Sequence, residues 1–183
     1  MGNAFTNAFA KAWLISKEEV EEKELIRKSE ERYNILLTKY WKMIELYKRF
    51  TYKNDKWEYD SKYFNEVPQI IINDYFLEKG DYWKNKSKIT STKLRQYYDM
   101  INSLYQSKLE WENLKTEFYM ILAKANYDNG RKNIVPREFV DFLRINIDMI
   151  FDEKKWKEVE NFRVFKKHFE TVVAYAKWVL SDK

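Results

Sequence analysis

Residues 84 to 106 read KNKSKITSTKLRQYYDMINSLYQ, and this stretch decides the fold. Thr90 or Ser91 is placed to cap a helix by accepting a hydrogen bond from a backbone N–H group. The apolar residues that follow recur three and four positions apart, which is the spacing of one face of an α-helix. They are Leu94, Tyr97, Tyr98, Ile101, Leu104 and Tyr105. The stretch therefore predicts an amphipathic helix with one buried face.

The beginning of the same stretch is basic and contains no acidic residue from Lys84 to Tyr98. Lys93 and Arg95 lie in the predicted first turn of the helix, beside free backbone N–H groups and the positive end of the helix dipole. Several hydrogen-bond donors therefore converge where an anion would rest. We predict an anion-binding surface at this helix end.

The rest of the chain shows the same spacing of apolar residues and predicts an all-α fold. With 3 Gly and 2 Pro among 183 residues, the sequence has few places for a tight turn. We predict a compact helical bundle of five to six helices at residues 63–183, preceded by an N-terminal helical extension at residues 1–62. The other bundle helices are predicted at Tyr63–Gly80, at Trp111–Asn126, from Pro136 to Ile150, and from Trp156 onward as one helix or two.

The N-terminal extension contains a long periodic stretch, Ser16 to Phe50, after a short and weakly polar segment, Met1 to Trp13. The short segment predicts a separate docking helix, and the sequence SKEE at Ser16 predicts the start of the long helix. Two interpretations of the long helix are open: an exposed arm that projects from the domain, or an arm that packs on a neighbouring subunit. If the arm makes the functional contacts, the protein is a helical scaffold that binds protein only.

The composition excludes several kinds of site. The chain has no Cys and a single His, His168, which excludes disulfides and thiolate chemistry and argues against a histidine metal site. With so few Gly, a glycine-rich phosphate loop cannot be written anywhere. No apolar run approaches the roughly 20 residues that a membrane-spanning helix needs. We expect a soluble, cytoplasmic protein with no cofactor, no metal and no membrane contact.

Basic residues recur in three groups beside predicted turns and helix ends, and the formal net charge is +5. If the helices bundle, these groups share one face and contact phosphates independently of the base sequence. The alternative is that they only keep the surface hydrated. The groups are Lys84, Lys86, Lys88, Lys93 and Arg95, then Lys124, Arg131 and Lys132, and finally Arg163, Lys166, Lys167 and Lys177.

One enzymatic interpretation rests on Arg163 and His168 in the sequence RVFKKH. These residues resemble the R-x4-H pattern of the HEPN ribonucleases, which are also all-helical. In that family the two side chains act on the ribose hydroxyl and the scissile phosphate at a dimer interface. Val164 departs from the polar residue that the family usually has there. The alternative is that His168 is an ordinary side chain of a helix.

Three segments, in the same order, resemble the small subunit of the Csm effector complex of type III-A CRISPR systems. They read ITSTKLRQYYDMI from Ile89, FYMILAKANYDNGRK from Phe118 and FKKHFETVVAYAKW from Phe165. The resemblance spans residues 63–178, and the residues before it have no counterpart in that family. The long charged helix that starts at Ser16 is therefore a departure from the family pattern.

The resemblance implies a small helical bundle with no catalytic centre of its own. Members of the family stack in several copies along the effector, next to the subunit that holds the guide RNA, and support antiviral recognition of target RNA. The implied partners are the guide RNA and target RNA backbone, other subunits of the complex, and further copies of the same chain. Together, the basic groups and the resemblance predict these RNA-binding residues: Lys88, Lys93, Arg95, Lys124, Arg131, Lys132, Lys166, Lys167 and Lys177.

Overall fold

The structure is a computed structural model, which describes residues 3–49, 59–78, 86–107, 109–131, 134–151 and 158–180. The α-helices within these ranges are α1 (Asn3–Arg49), α2 (Ser61–Ile70), α3 (Ser91–Gln106), α4 (Trp111–Gly130), α5 (Arg137–Ile150) and α6 (Glu158–Val179). A π-helical turn (Ile71–Phe76) continues α2, and two short strands, β1 (Leu77–Glu78) and β2 (Lys86–Ser87), pair antiparallel. The predicted all-α bundle with an extended N-terminal helix is confirmed.

The contacts within the chain divide it into two units, Met1–Thr38 and Lys39–Lys183. The first unit is the larger part of α1, and its exposed surface carries ion pairs one helical turn apart, such as Arg27 with Glu31 at 2.6 Å. The prediction of a separate docking helix before Ser16 was wrong, because α1 runs unbroken from Asn3. No Gly or Pro lies between Phe5 and Phe50 to interrupt it. The domain boundary predicted after residue 62 stays a prediction.

The core of the second unit is filled largely by aromatic rings. The Phe142 ring lies edge-on to the Phe169 ring, with 5.3 Å between centroids, and joins α5 to α6. The Phe76 ring packs edge-on against Phe139 at 5.8 Å and joins the π-helical turn to α5. Such aromatic pairs add to the stability that their buried apolar area provides. Aromatic rings of the π-helical turn, α5 and α6 thus pack together in the interior of the bundle.

Helix α3 begins and packs as the sequence predicts. The Thr90 hydroxyl oxygen accepts a hydrogen bond from the Lys93 backbone N–H at 3.1 Å, which caps the helix. The predicted apolar face is buried over its first three turns, at Leu94, Tyr97, Tyr98 and Ile101. Tyr105 in the last turn is partly exposed. This packing fixes where the basic first turn of α3 points.

The last turns of α1 belong to the core of the second unit. Met43 and Tyr47 are buried there, although both lie in the predicted N-terminal extension. The Tyr47 hydroxyl contacts α6 at His168 and α5 at Asn146. The bundle core therefore includes a segment of the chain that precedes residue 63.

The π-helical turn replaces part of the α-helix that the sequence predicts up to Gly80. The Leu77 N–H donates to the Ile72 carbonyl, five residues back, which is the hydrogen-bond pattern of a π-helix. The chain then leaves the helix and enters β1. Gly80, the predicted helix end, lies outside the described residues.

Helix α4 continues past its predicted end at Asn126 and reaches Gly130. The Asn129–Gly130 pair, which lies beyond the predicted helix end, therefore completes the helix. The Asn129 side-chain amide donates to the Val135 carbonyl at 2.9 Å and ties the following loop to this helix end. This local hydrogen bond holds the loop against the end of the longer helix.

Candidate nucleic-acid interface

Two of the predicted RNA-binding lysines meet on one buried carboxylate. Lys93 in the first turn of α3 and Lys124 on α4 place their Nζ atoms 3.0 and 3.1 Å from Oδ2 of Asp128. The Tyr97 hydroxyl donates to the same oxygen at 2.8 Å. Both ammonium groups also lie near the Tyr97 ring, at 5.7 and 5.9 Å from its centroid. We call Lys93, Lys124, Asp128 and Tyr97 the α3–α4 cluster.

The α3–α4 cluster keeps a net positive charge. Burial by itself raises the pKa of the Asp128 carboxyl, but hydrogen bonds from Lys93, Tyr97 and Lys124 outweigh it and lower that pKa to about 2. Asp128 is therefore ionised at neutral pH, and two ammonium groups face one carboxylate. The Lys124 side chain is 47% exposed and that of Lys93 19%. Lys124 is thus the member that presents the excess charge to solvent.

Lys88 belongs to a second cluster of the same kind, which we call the Glu138 cluster. Its Nζ atom lies 2.9 Å from Oε1 of Glu138, and the Nζ atom of Lys39 lies 2.8 Å from the same oxygen. Burial raises the pKa of Glu138, but the hydrogen bonds from Lys39 and Lys88 overcome this effect and hold that pKa below its usual value. Lys39 is not among the predicted residues, because its partner is 99 residues away and no local pattern marks it.

Arg95 is exposed and pairs within its own helix. Its Nε atom lies 3.0 Å from Oδ1 of Asp99, one turn later, and its guanidinium lies over the Tyr98 ring at 5.5 Å. Asp99 is the first residue after the acid-free run. The run itself lacks acidic residues, but three of its cations are paired. Lys88 and Lys93 pair with carboxylates on other helices, and Arg95 pairs with Asp99 on its own helix.

Two of the predicted residues on α6, Lys166 and Lys167, contact the rings of different tyrosines. Lys166 Nζ sits over the Tyr105 ring at 5.2 Å, and Lys167 Nζ sits over the Tyr59 ring at 5.3 Å. Tyr105 follows Lys93 by twelve residues on α3, which is about 18 Å along the helix axis. Lys166 is thus well separated from the first turn of α3, and the predicted set does not form a single cluster.

Three members of the predicted set remain. Lys177 is exposed near the end of α6. Arg131 is exposed just after α4, where its Nη1 atom donates to the Tyr127 hydroxyl at 3.4 Å. Lys132 lies outside the described residues.

Arg163 and His168 do not form a shared exposed site. His168 is fully buried, and its Nε2 atom lies 2.9 Å from the Tyr47 hydroxyl. Burial lowers the pKa of His168 to about 3, so the imidazole is neutral at physiological pH. Arg163 is exposed and hydrogen-bonds to the Tyr59 hydroxyl. In this fold His168 is a core residue, and a phosphate on the surface does not reach it.

The described residues also bear on membrane and metal binding. Among them, no helix combines the length and the apolar character needed to cross a membrane. In the same part of the chain, no group of three or more His, Cys, Asp or Glu side chains is arranged to hold a metal ion.

Comparison with known proteins identifies the family. The family model described as Csm2 Type III-A matches residues 71–181. The match contains the α3–α4 cluster as well as Lys88 and Glu138, whereas Lys39 precedes it. No curated protein and no solved structure matches the chain significantly. Because the family match covers more than half of the sequence, the chain belongs to the Csm2 family, the small subunits of type III-A CRISPR effector complexes.

Proposed function

We propose that this subunit is non-catalytic and binds the sugar–phosphate backbone of RNA within the effector complex. In this role it stacks in several copies along the guide and target RNA and supports antiviral recognition of the target. The proposed contacts are basic residues on or near α3, α4 and α6, together with Lys132, which lies outside the described residues. They are Lys88, Lys93, Arg95, Lys124, Arg131, Lys132, Lys166, Lys167 and Lys177.

The α3–α4 cluster carries the proposal. Asp128 holds the Lys93 and Lys124 ammonium groups within 3.1 Å of one oxygen, so both long side chains are ordered before any ligand binds. An ordered lysine loses less conformational entropy on binding a phosphate than a mobile one does. Because one carboxylate cannot neutralise two ammonium groups, Lys124 has charge left for an external anion.

A backbone-binding role agrees with the chemistry of the other proposed contacts. In RNA-guided complexes, base pairing supplies sequence specificity, and the protein needs only shape and phosphate contacts. Lysine suits this task because it is a point charge that accepts many geometries. Base stacking would require open faces on the Tyr59 and Tyr105 rings. Instead, Lys167 Nζ lies over the Tyr59 ring and Lys166 Nζ lies over the Tyr105 ring. These features favour phosphate contact over base reading.

The experiment is a salt titration of RNA binding by the full-length chain. We compare the wild type with Lys124→Gln and with Lys115→Gln as the matched control. Lys115 lies nine residues before Lys124 on α4, about 180° around the helix. The slope of log K against log salt is negative. If Lys124 contacts a phosphate, Lys124→Gln makes this slope less steep by about 0.7, the value for one contact on a single strand. Lys115→Gln should leave the slope unchanged.

A second variant tests the whole interface. This chain carries four substitutions, Lys124→Gln, Arg131→Gln, Lys166→Gln and Lys167→Gln. The negative slope of log K against log salt should become less steep by about 2.8, which is about 0.7 for each lost contact. A wild-type chain that does not bind single-stranded RNA, or a fourfold variant with an unchanged slope, would rule the proposal out. Unchanged thermal unfolding of the variants shows that the effect comes from lost charge.

For contacts between copies of the chain, we propose the apolar face of the first unit. Ile26, Tyr33 and Leu37 recur at intervals of seven and four residues, so they lie on one face of α1. All three are exposed, at 53%, 63% and 37% of their surface. Polar residues, Ser29 and Glu30, separate Ile26 from Tyr33 on this face, so the exposed apolar residues form an interrupted row. Exposed apolar residues that share one face are typical of a surface that contacts a partner. A second copy of the chain is the proposed partner.

A further inference from the structure

A basic groove lies beside the Glu138 cluster, between the end of α1 and the π-helical turn. Its volume is about 470 Å³, and three lysines line it: Lys39, Lys42 and Lys88. Lys39 and Lys42 are three residues apart on α1 and face the same side of the helix. Lys88 follows β2 in the chain. Three ammonium groups from two distant parts of the sequence are thus brought to one groove.

Glu138 holds two of these lysines in place. It lies in the first turn of α5, where its carboxylate also faces the positive end of the helix dipole. The Lys39 and Lys88 Nζ atoms lie 2.8 and 2.9 Å from the same carboxylate oxygen. Lys88 also donates to the Tyr75 carbonyl at 3.3 Å. The groove therefore has a fixed wall of two ammonium groups.

The charge of the groove favours an anion. Its lining includes one exposed carboxylate, Asp74, and Glu138 lies directly behind Lys39 and Lys88. Among the lining residues and Glu138, three ammonium groups thus face two carboxylates, and the exposed Lys42 supplies the excess charge at the groove surface. Glu45, three residues after Lys42, lies outside the lining, although its charge contributes, after burial and Asp74, to the raised pKa of Tyr75. The exposed Asn73 side chain adds an amide donor. A phosphodiester, with one negative charge and several acceptor oxygens, matches this set of donors.

The backbone around the groove is unusual as well. Asn73, Asp74 and Tyr75 belong to the π-helical turn, Ile71–Phe76. Turns of this kind are rare in proteins and are found frequently at functional sites. In an α-helix these residues would be rotated relative to α1, so the π-helical turn shapes this wall of the groove.

We propose that this groove binds a phosphate of the RNA backbone through Lys42, Lys39 and Lys88. The site rests on the proposed function and extends it, because Lys39 and Lys42 precede the region that the Csm2 family model matches. The N-terminal helix thus contributes to the RNA contacts and does not serve only as an arm between subunits. The path of the RNA then passes the end of α1 as well as the first turn of α3.

Three charge variants of the full-length chain test the site with a single-stranded uridine RNA. Lys42→Gln should weaken binding about two- to fivefold. It should also make the negative slope of log K against log salt less steep by about 0.7. Asp74→Asn removes the exposed carboxylate and should strengthen binding by a similar factor. Lys48→Gln is the control, since Lys48 is exposed on the same helix but about 240° around from Lys42. It should bind like the wild type.

Acetylation of lysines, read by mass spectrometry, distinguishes RNA from free phosphate. RNA should protect Lys42 from acetic anhydride, whereas inorganic phosphate at the same phosphate concentration should not. Equal protection by both ligands would identify a site for free phosphate and overturn the assignment to RNA.

The outcomes also separate this site from the proposed function. If Lys124→Gln changes the salt slope while Lys42→Gln and Asp74→Asn do not, the groove proposal fails alone. If the wild-type chain does not bind RNA, both proposals fail. A changed slope with Lys42→Gln and an unchanged slope with Lys124→Gln would support the groove and contradict the α3–α4 cluster as the main contact.

Discussion

The hydroxyl of Tyr47 lies 2.9 Å from Nε2 of His168, inside the core of the bundle. The side-chain amide of Asn146 donates to the same hydroxyl at 3.1 Å, so the hydroxyl proton is directed toward the imidazole. One hydrogen-bonded chain thus links α1, α5 and α6. The last turn of the N-terminal helix is thereby joined to the helix that ends the described chain.

Removing the Tyr47 hydroxyl should destabilise the bundle. Tyr47→Phe leaves Nε2 of His168 without a partner in the core and takes one acceptor from Asn146. A buried polar group without a hydrogen bond costs about 1–3 kcal/mol, and the free energy of unfolding in urea should fall by that amount. Tyr119→Phe is the control, because Tyr119 is exposed, and it should change stability by less than about 0.5 kcal/mol. Equal stability of the two variants would contradict the role of the buried hydrogen bond.

The buried imidazole should make stability depend on pH. Burial lowers the pKa of His168 to about 3 from the ordinary value of 6.5. Between these values the unfolded chain binds a proton that the folded chain does not, so stability rises with pH. The stability that the neutral His168 contributes is fully present above pH 6.5. This contribution is lost as the pH falls toward 3, by about 1.4 kcal/mol per pH unit. Urea unfolding at pH 7, 6 and 5 measures this slope.

His168→Gln supplies the comparison for the pH experiment. Gln does not titrate, so the free energy of unfolding of this variant should change little between pH 7 and pH 5. The carboxylate of Asp128 loses its stabilising charge only at lower pH, because its pKa is about 2 in the folded chain. A wild-type protein as insensitive to pH as the variant would disprove the assignment.

Neutralising Asp128 should separate stability from RNA binding. Asp128→Asn leaves Lys93 and Lys124 without their carboxylate, and stability should fall by about 1–3 kcal/mol, since both lysines are partly solvated. The same change adds one positive charge, so RNA binding should become tighter and its salt slope steeper. Asp99→Asn breaks the exposed pair with Arg95 and should change stability by less than about 1 kcal/mol. Urea unfolding and RNA titration measure the two effects.

The opposite result has a clear meaning. If Asp128→Asn is destabilised and also binds RNA more weakly, the α3–α4 cluster acts mainly through the structure of α3 and α4. A correctly folded variant with unchanged binding would place the RNA away from this cluster.

Charge on the apolar face of α1 should weaken association between copies of the chain. Ile26→Glu and Tyr33→Glu together should shift the protein toward the monomer in sedimentation velocity, because a buried carboxylate without a partner opposes association. Ile35→Glu is the matched control, since Ile35 is exposed but lies about 200° around the helix from Tyr33. A wild-type chain that is already monomeric, or a control with the same effect, would contradict this interface.

Local patterns in the sequence predicted the fold class and the start of α3. The Thr90 cap and the buried face from Leu94 to Ile101 involve residues within a few turns of each other, so helical geometry alone determines them. Where a local signal was weak, prediction failed. Ser16 resembles a cap but lies within α1, because a cap residue stops a helix only when the preceding residues favour another conformation.

By itself, the sequence determined the helical class, the capped basic turn at Lys93 and the segments that resemble the Csm2 family. Only the tertiary structure decided which charges meet. Lys39 contacts Glu138 across 99 residues, and Tyr47 contacts His168 across 121 residues. No local spacing in the sequence predicts either contact. The physical reason is that helical periodicity fixes which face of a helix is apolar. Side-chain packing between helices then decides which polar atoms come within hydrogen-bonding distance.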